Sequence, residues 1–148
     1  MSESLESRIR RLEAIVEIKE LTARYCLHVA RGEGERVVDL FTHDGVLDGS
    51  SSDIGRVSGR DDLHAFYRRS VNRPGVALPF IHNHIIDVNG DSATGTCALE
   101  ATFQRDGSSV RAVGYYLDTY RREDDRWLFA ERQLFFHDIA PPRGNEEA

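Results

Sequence analysis

Residues 80–91, FIHNHIIDVNGD, carry the change of rhythm that decides the fold. Before them, apolar residues recur every three or four positions, as on the buried stripe of a helix. From Phe80 onward they alternate, as on a strand with one face turned to a core. The stretch runs into Asn89-Gly90, a pair that accepts the positive φ of a type I′ turn, so the chain should return through Ser92–Gln104. Asp106-Gly107 gives a second tight turn. Val110–Arg121 and Trp127–Phe136, joined around Glu123-Asp124-Asp125, then complete a four-stranded antiparallel meander.

Working back toward the N-terminus, Leu5, Ile9, Leu12, Ile15, Ile18, Leu21, Tyr25 and Val29 predict one long amphipathic helix over residues 4–31. Ser4 is its expected N-cap, with Gly32 and Gly34 as its stop. A short second helix is predicted with Val37, Val38, Leu40 and Phe41 on its buried side, then a turn at residues 42–45 and a short strand over 46–48. Gly59-Arg60-Asp61-Asp62 opens a third helix with the stripe Leu63, Phe66, Tyr67 and Val71. Three helices followed by a meander predict an α+β domain, its helices on one face of a curved sheet. The domain should span residues 1–138, with a loose tail over 139–148 where Pro141-Pro142 and acids gather.

The chain has 148 residues and a net charge of −6, which argues against nucleic acid or anionic membrane as partner, since both select a clustered positive field. Cys26 and Cys97 are the only cysteines and sit among apolar neighbours, as buried thiols of a reducing compartment do. With no signal-like N-terminus and no long apolar run, the expected location is the cytoplasm. No glycine-rich loop between strand and helix suggests a phosphate cradle, and no serine occupies a nucleophile elbow.

By strict alternation, His82 and His84 share one strand face with Ile86 and Val88, so both should look inward. A neutral imidazole is a competent general base near neutral pH. His28 falls one turn after Tyr25 on the long helix. Asp118 shares a face with Tyr116 and Tyr120; if inward, it needs a partner, and Arg132 or a histidine would serve. A metal shared by His82 and His84, with Glu100, Asp118 or His28 as third ligand, is the weaker reading, and no metal or other cofactor is expected.

The segments IKELTARYCLHVARGEGERVVDLFTHDGVLD, GRDDLHAFY, HIIDVNGDSATGTCALE and GYYLDTYRREDDRWLFAERQL resemble, in order and spacing, the SnoaL-like branch of the NTF2-like superfamily. The resemblance implies a cone: a sheet curled around the long helix, with a pocket at the wide end. It also implies a range of activities that includes dehydratases, a dehydrochlorinase, polyketide cyclases and ketosteroid isomerase. Dehydratase-type members use a Tyr and an Asp on the long helix and a His on the first long strand. These positions fall on Tyr25, Ala30 and Pro79, so one of the three groups is present.

Two functions follow as expectations. The first is a cofactor-independent dehydratase, isomerase or cyclase acting on a small hydrophobic, cyclic or polyketide-like molecule. Here His82 or His84 is the base, Tyr25 polarises an oxygen, and His28, Phe66, Tyr116, Asp118 and Phe135 contact the substrate. The second is a non-catalytic binding or oligomerisation domain, favoured by Ala30 and Pro79. Under either reading a homo-oligomer is expected, and the resemblance favours a trimer over a dimer.

Overall fold

A computed structural model describes residues 2–71 and 78–140. Helix α1 runs Leu5–Ala30, α2 Gly34–Val38 and α3 Arg60–Val71. Strands β1 (Phe41–Gly49), β2 (Gly55–Ser58), β3 (Leu78–Asn89), β4 (Ser92–Arg105), β5 (Ser108–Glu123) and β6 (Arg126–Ala140) form one sheet in the order β2-β1-β6-β5-β4-β3. All neighbours are antiparallel except β1 and β6, which run parallel. This is the α+β architecture expected, with the meander as its larger part.

Ser4 caps α1 by accepting a bond from the Ser7 amide at 3.1 Å, and the chain leaves the helix through Gly32 at φ 71°. Ala14, Ile18, Leu21, Tyr25 and Val29 form the stripe that α1 buries. It meets Leu63 and Tyr67 of α3 and Cys97, Leu99, Tyr116, Tyr120 and Phe129 of the sheet in one core.

Four elements differ from the sequence expectation. α2 stops at Val38, and Phe41 instead begins β1, because the Leu40 carbonyl accepts a sheet bond from Phe129 N. β1 therefore absorbs the expected turn at residues 42–45 through an irregularity between Phe41 and Val46. The Ser/Gly/Asp stretch after it contains β2, an edge strand of four residues with one apolar side chain, Val57, too few to give a period in the sequence. β6 continues through Ala140, which pairs with Arg111, so the expected tail does not begin at 139. Residues 141–148, the remainder of that tail, lie outside the described residues.

Two single-residue bulges set which side chains enter the cone. In β3, His82 pairs with Ala98 and Ile85 with Thr96, so two residues oppose one; Asn83, at φ 51°, is the extra one. In β6, Phe129 pairs with Tyr120 but Glu131 with Thr119, leaving Ala130 unpaired. Each bulge reverses the in–out parity of the residues that follow, in β6 as far as Phe136, where a further irregularity interrupts the ladder.

Candidate active site

The bulge at Ala130 turns Arg132, rather than Glu131, into the cone. Glu131 stays outside, 3.0 Å from Arg56. Directly across the ladder from Arg132 stands Asp118 of β5. Arg132 is fully buried and Asp118 nearly so, with Nε 3.1 Å from Oδ1 and Nη2 3.3 Å from Oδ2. The guanidinium carbon lies 3.5 Å from the ring centre of Tyr116, 4.3 Å from Tyr25 and 4.6 Å from Phe129, a cation enclosed by aromatic faces. Among the described residues its Nη1 has no hydrogen-bond acceptor. Burial pushes the Asp118 carboxyl up to about 6, against the opposing pull of Arg132 and of the Tyr120 hydroxyl.

Tyr120 extends this pair toward the cone's edge. Its hydroxyl donates to Asp118 Oδ2 at 3.0 Å and lies 3.0 Å from Nε2 of His84. A phenol has one proton to give, and a carboxylate can only accept. With Asp118 ionised, His84 must therefore carry its own proton on Nε2, which leaves the Nδ1 lone pair unused by this relay. Gly95 of β4 makes room for the tyrosine: a Cβ there would stand 2.9 Å from Tyr120 Cε2 and 3.0 Å from its oxygen. Desolvation, then Arg132 and Lys19, lowers His84 to about 4, so the ring is neutral at ordinary pH. It remains half-buried, between α1 and the sheet edge.

The sequence-expected residues separate into distinct places. His82 and His84 do not share a face: the Asn83 bulge sends His82 outward, where Nε2 lies 2.9 Å from Glu100 Oε2. The pair cannot hold a common metal, and no group of three or more metal-ligating side chains occurs among the described residues. Tyr25 is inward but sealed, 5% exposed, its hydroxyl 2.9 Å from that of Tyr67. Burial raises its pKa, opposed by Arg132. His28 sits on the far end of α1 with Nδ1 2.5 Å from Glu33, beside a surface concavity of about 370 Å³ rather than in the cone. Tyr116 and Asp118 are inward as expected, and Arg132 is the partner. Phe66 packs on Tyr67 with ring centres 5.1 Å apart. Phe135 stacks on Tyr115 at 5.1 Å on the opposite face of the sheet, because the Ala130 bulge makes 132, 134 and 136 the inward positions. A single hollow shared by Tyr25, His28, His82 and His84 is thus replaced by one relay: His84, Tyr120, Asp118, Arg132. Tyr120 was placed on the right face by alternation; its linking role had a signal in the glycine that faces it.

The sequence profile of the SnoaL-like domain matches residues 10–133. No curated protein matches the chain. Among solved structures, a protein of unknown function from Mycobacterium tuberculosis is 26% identical, with a TM-score of 0.76 over 86% of this chain and 73% of that one. A candidate scytalone dehydratase from Novosphingobium aromaticivorans is 19% identical, with a TM-score of 0.78 over 88% of each chain. A type 2 hexachlorocyclohexane dehydrochlorinase (LinA) is 17% identical, with a TM-score of 0.81 over 96% of this chain and 97% of that one. At 19% and 17% identity, the last two likenesses speak to the cone fold alone.

Proposed function

The chain belongs to the SnoaL-like family, and from that premise we propose that it is a cofactor-independent acid–base catalyst with His84 as its proton acceptor. The observation that carries this reading is the relay from His84 Nε2 through Tyr120 to Asp118. An imidazole held at one nitrogen by a buried hydroxyl that itself donates to a carboxylate, with the other nitrogen unused by the relay, is an arrangement suited to general-base catalysis. Nδ1 takes a proton from a carbon beside a carbonyl or leaving group, and the C–H electron pair becomes the new double bond. In elimination the leaving group departs with its own electron pair; in isomerisation the proton is returned to another carbon. The imidazolium formed keeps Nε2–H on Tyr120 and, through it, the charge of Asp118. The pKa near 4 keeps the resting ring unprotonated, and an enolate forming beside it supplies the counter-charge that the free protein lacks.

The substrate class is a small uncharged hydrophobic molecule, because a charged one would have to be desolvated beside the half-buried ring and its partly buried β3 neighbours Ile86 and Val88. The dehydrochlorinase and the candidate scytalone dehydratase that share the fold lend this class support. Two free thiols favour a reducing, cytoplasmic setting. A second reading, a non-catalytic binding or oligomerisation domain, is favoured by the closure around Tyr25, where Arg132 and the aromatic rings fill the space a substrate would need.

Deuterium exchange at the α-carbon of a cyclic ketone, followed by proton NMR in D₂O, separates the two. The enzyme reading expects exchange faster than buffer with wild type and His82→Gln, and buffer-level exchange with His84→Gln. Equal rates in wild type and His84→Gln would remove His84 as the base. Ketone-induced shifts without exchange would favour the binding domain.

A further inference from the structure

Helix α1 is apolar on two opposite faces, and the core uses only one. Ala14, Ile18, Leu21 and Tyr25 bury the inner stripe. On the other side, Leu5, Ile9, Leu12 and Val16 are 69, 47, 58 and 57% exposed, spaced four, three and four apart. From Leu5 to Glu13 every residue is exposed, so among the described residues the first turns of the helix project from the body. An isolated apolar stripe of this length in water has no reason to persist unless something covers it.

We propose that this face is covered by α1 of a second copy, in a parallel two-stranded coiled coil. In heptad terms Leu5 and Leu12 take the d positions and Ile9 and Val16 the a positions. Leucine at d with β-branched residues at a is the combination that selects two parallel strands. The flanks agree. Glu6, Glu13 and Glu20 form the e row and Arg8 lies in the g row; in parallel register Arg8 of each copy faces Glu13 of the other. Neither Arg8 nor Glu13 has an ion-pair partner within its own chain among the described residues, although Arg10, Arg11 and Arg24 do. Antiparallel packing would instead set one acidic e row against the other. The seam ends where Lys19 takes the next d position. Because the core-facing stripe lies on the opposite side of the helix, the two bodies hang outboard and do not meet across the seam. Burying the stripe also fixes the first turns of the helix that leads to Thr22, which lies beside Tyr120, and to Tyr25.

Sedimentation velocity on the full chain tests this. The wild type is expected to sediment as a dimer that dissociates on dilution. Ile9→Lys with Val16→Lys, both on the exposed face, should raise the dissociation constant about a hundredfold or more by placing like charges in two seam layers. Glu13→Arg should weaken the dimer, and Arg8→Glu with Glu13→Arg should restore it. A wild type that stays monomeric, forms trimers, or associates as strongly after the double lysine change overturns the proposal. Glu13→Arg tightening the dimer would overturn the parallel register. Equal binding of wild type and the double lysine variant to each other would point to the sheet face instead, and binding of wild-type monomer to phosphatidylcholine vesicles would assign the stripe to a lipid surface.

Discussion

Tyr120→Phe removes one oxygen from the middle of the relay and leaves every ring in place. That oxygen donates to Asp118 and receives Nε2–H of His84, each at 3.0 Å, in a residue with no exposed surface. Burial raises Asp118 from 3.8 to about 6, so at pH 5 the acid is mostly neutral. The variant then loses a neutral hydrogen bond, about 1 kcal/mol. At pH 8 the same change strips a donor from a buried carboxylate, about 2–3 kcal/mol. A gap of about 1.4 kcal/mol between the two conditions corresponds to moving the Asp118 midpoint from about 6 to about 7. The sign follows from proton linkage. An acid whose folded pKa is raised binds more protons folded than unfolded, so its contribution is complete below 3.8 and is lost as pH rises through about 6. In the variant the loss continues to higher pH, and the deficit relative to wild type widens. Urea denaturation followed by circular dichroism at pH 5, 6.5 and 8 measures it. A deficit that is flat with pH, or below about 0.5 kcal/mol throughout, would refute the relay as drawn.

Three further outcomes follow from the same geometry. Nitrogen-15 NMR of His84 should show a ring that is neutral down to about pH 5, with a midpoint near 4, and protonated on Nε2 above about pH 6, where Asp118 is ionised; a midpoint near 6.5 would mean that its environment is wetter than described. Asn83→Gly should change stability little, since glycine accepts φ 51°, whereas Asn83→Val should cost about 1–2 kcal/mol in thermal or urea unfolding. Gly95→Ala should cost about 1–3 kcal/mol by pushing on Tyr120, and combined with Tyr120→Phe should cost less than the sum, because the contact to the oxygen at 3.0 Å is gone.

The elements were legible because they rest on local rules. The period of α1, the Asn89-Gly90 and Asp106-Gly107 turns, and the acids opening α3 each act within a few residues. The placement of side chains was legible only as far as parity held. In β5, which runs through Tyr116, Asp118 and Tyr120 without interruption, alternation placed the buried acid correctly. In β3 it failed at a single residue: Asn83 is polar and tolerant of a left-handed backbone, but nothing next to it in sequence distinguishes a bulge from an ordinary outward position.

The failure in β6 has the larger consequence. Under strict alternation from Trp127 and Phe129, Glu131 would enter the core and Arg132 would face solvent. Two carboxylates, Glu131 and Asp118, would then share the centre of the cone without a cation, an arrangement that would cost several kcal/mol or force protonation. The Ala130 bulge exchanges that conflict for an ion pair under three aromatic rings. Register is thus chosen by the electrostatics of the filled interior, which a sequence read strand by strand does not contain. The same choice closes the space beside Tyr25 and leaves the half-buried imidazole of His84 as the open end of the buried network. If the cone is an enzyme, its chemistry has moved from the helix, where Ala30 is inert, to the strand edge, and His84→Gln is the substitution that must silence it.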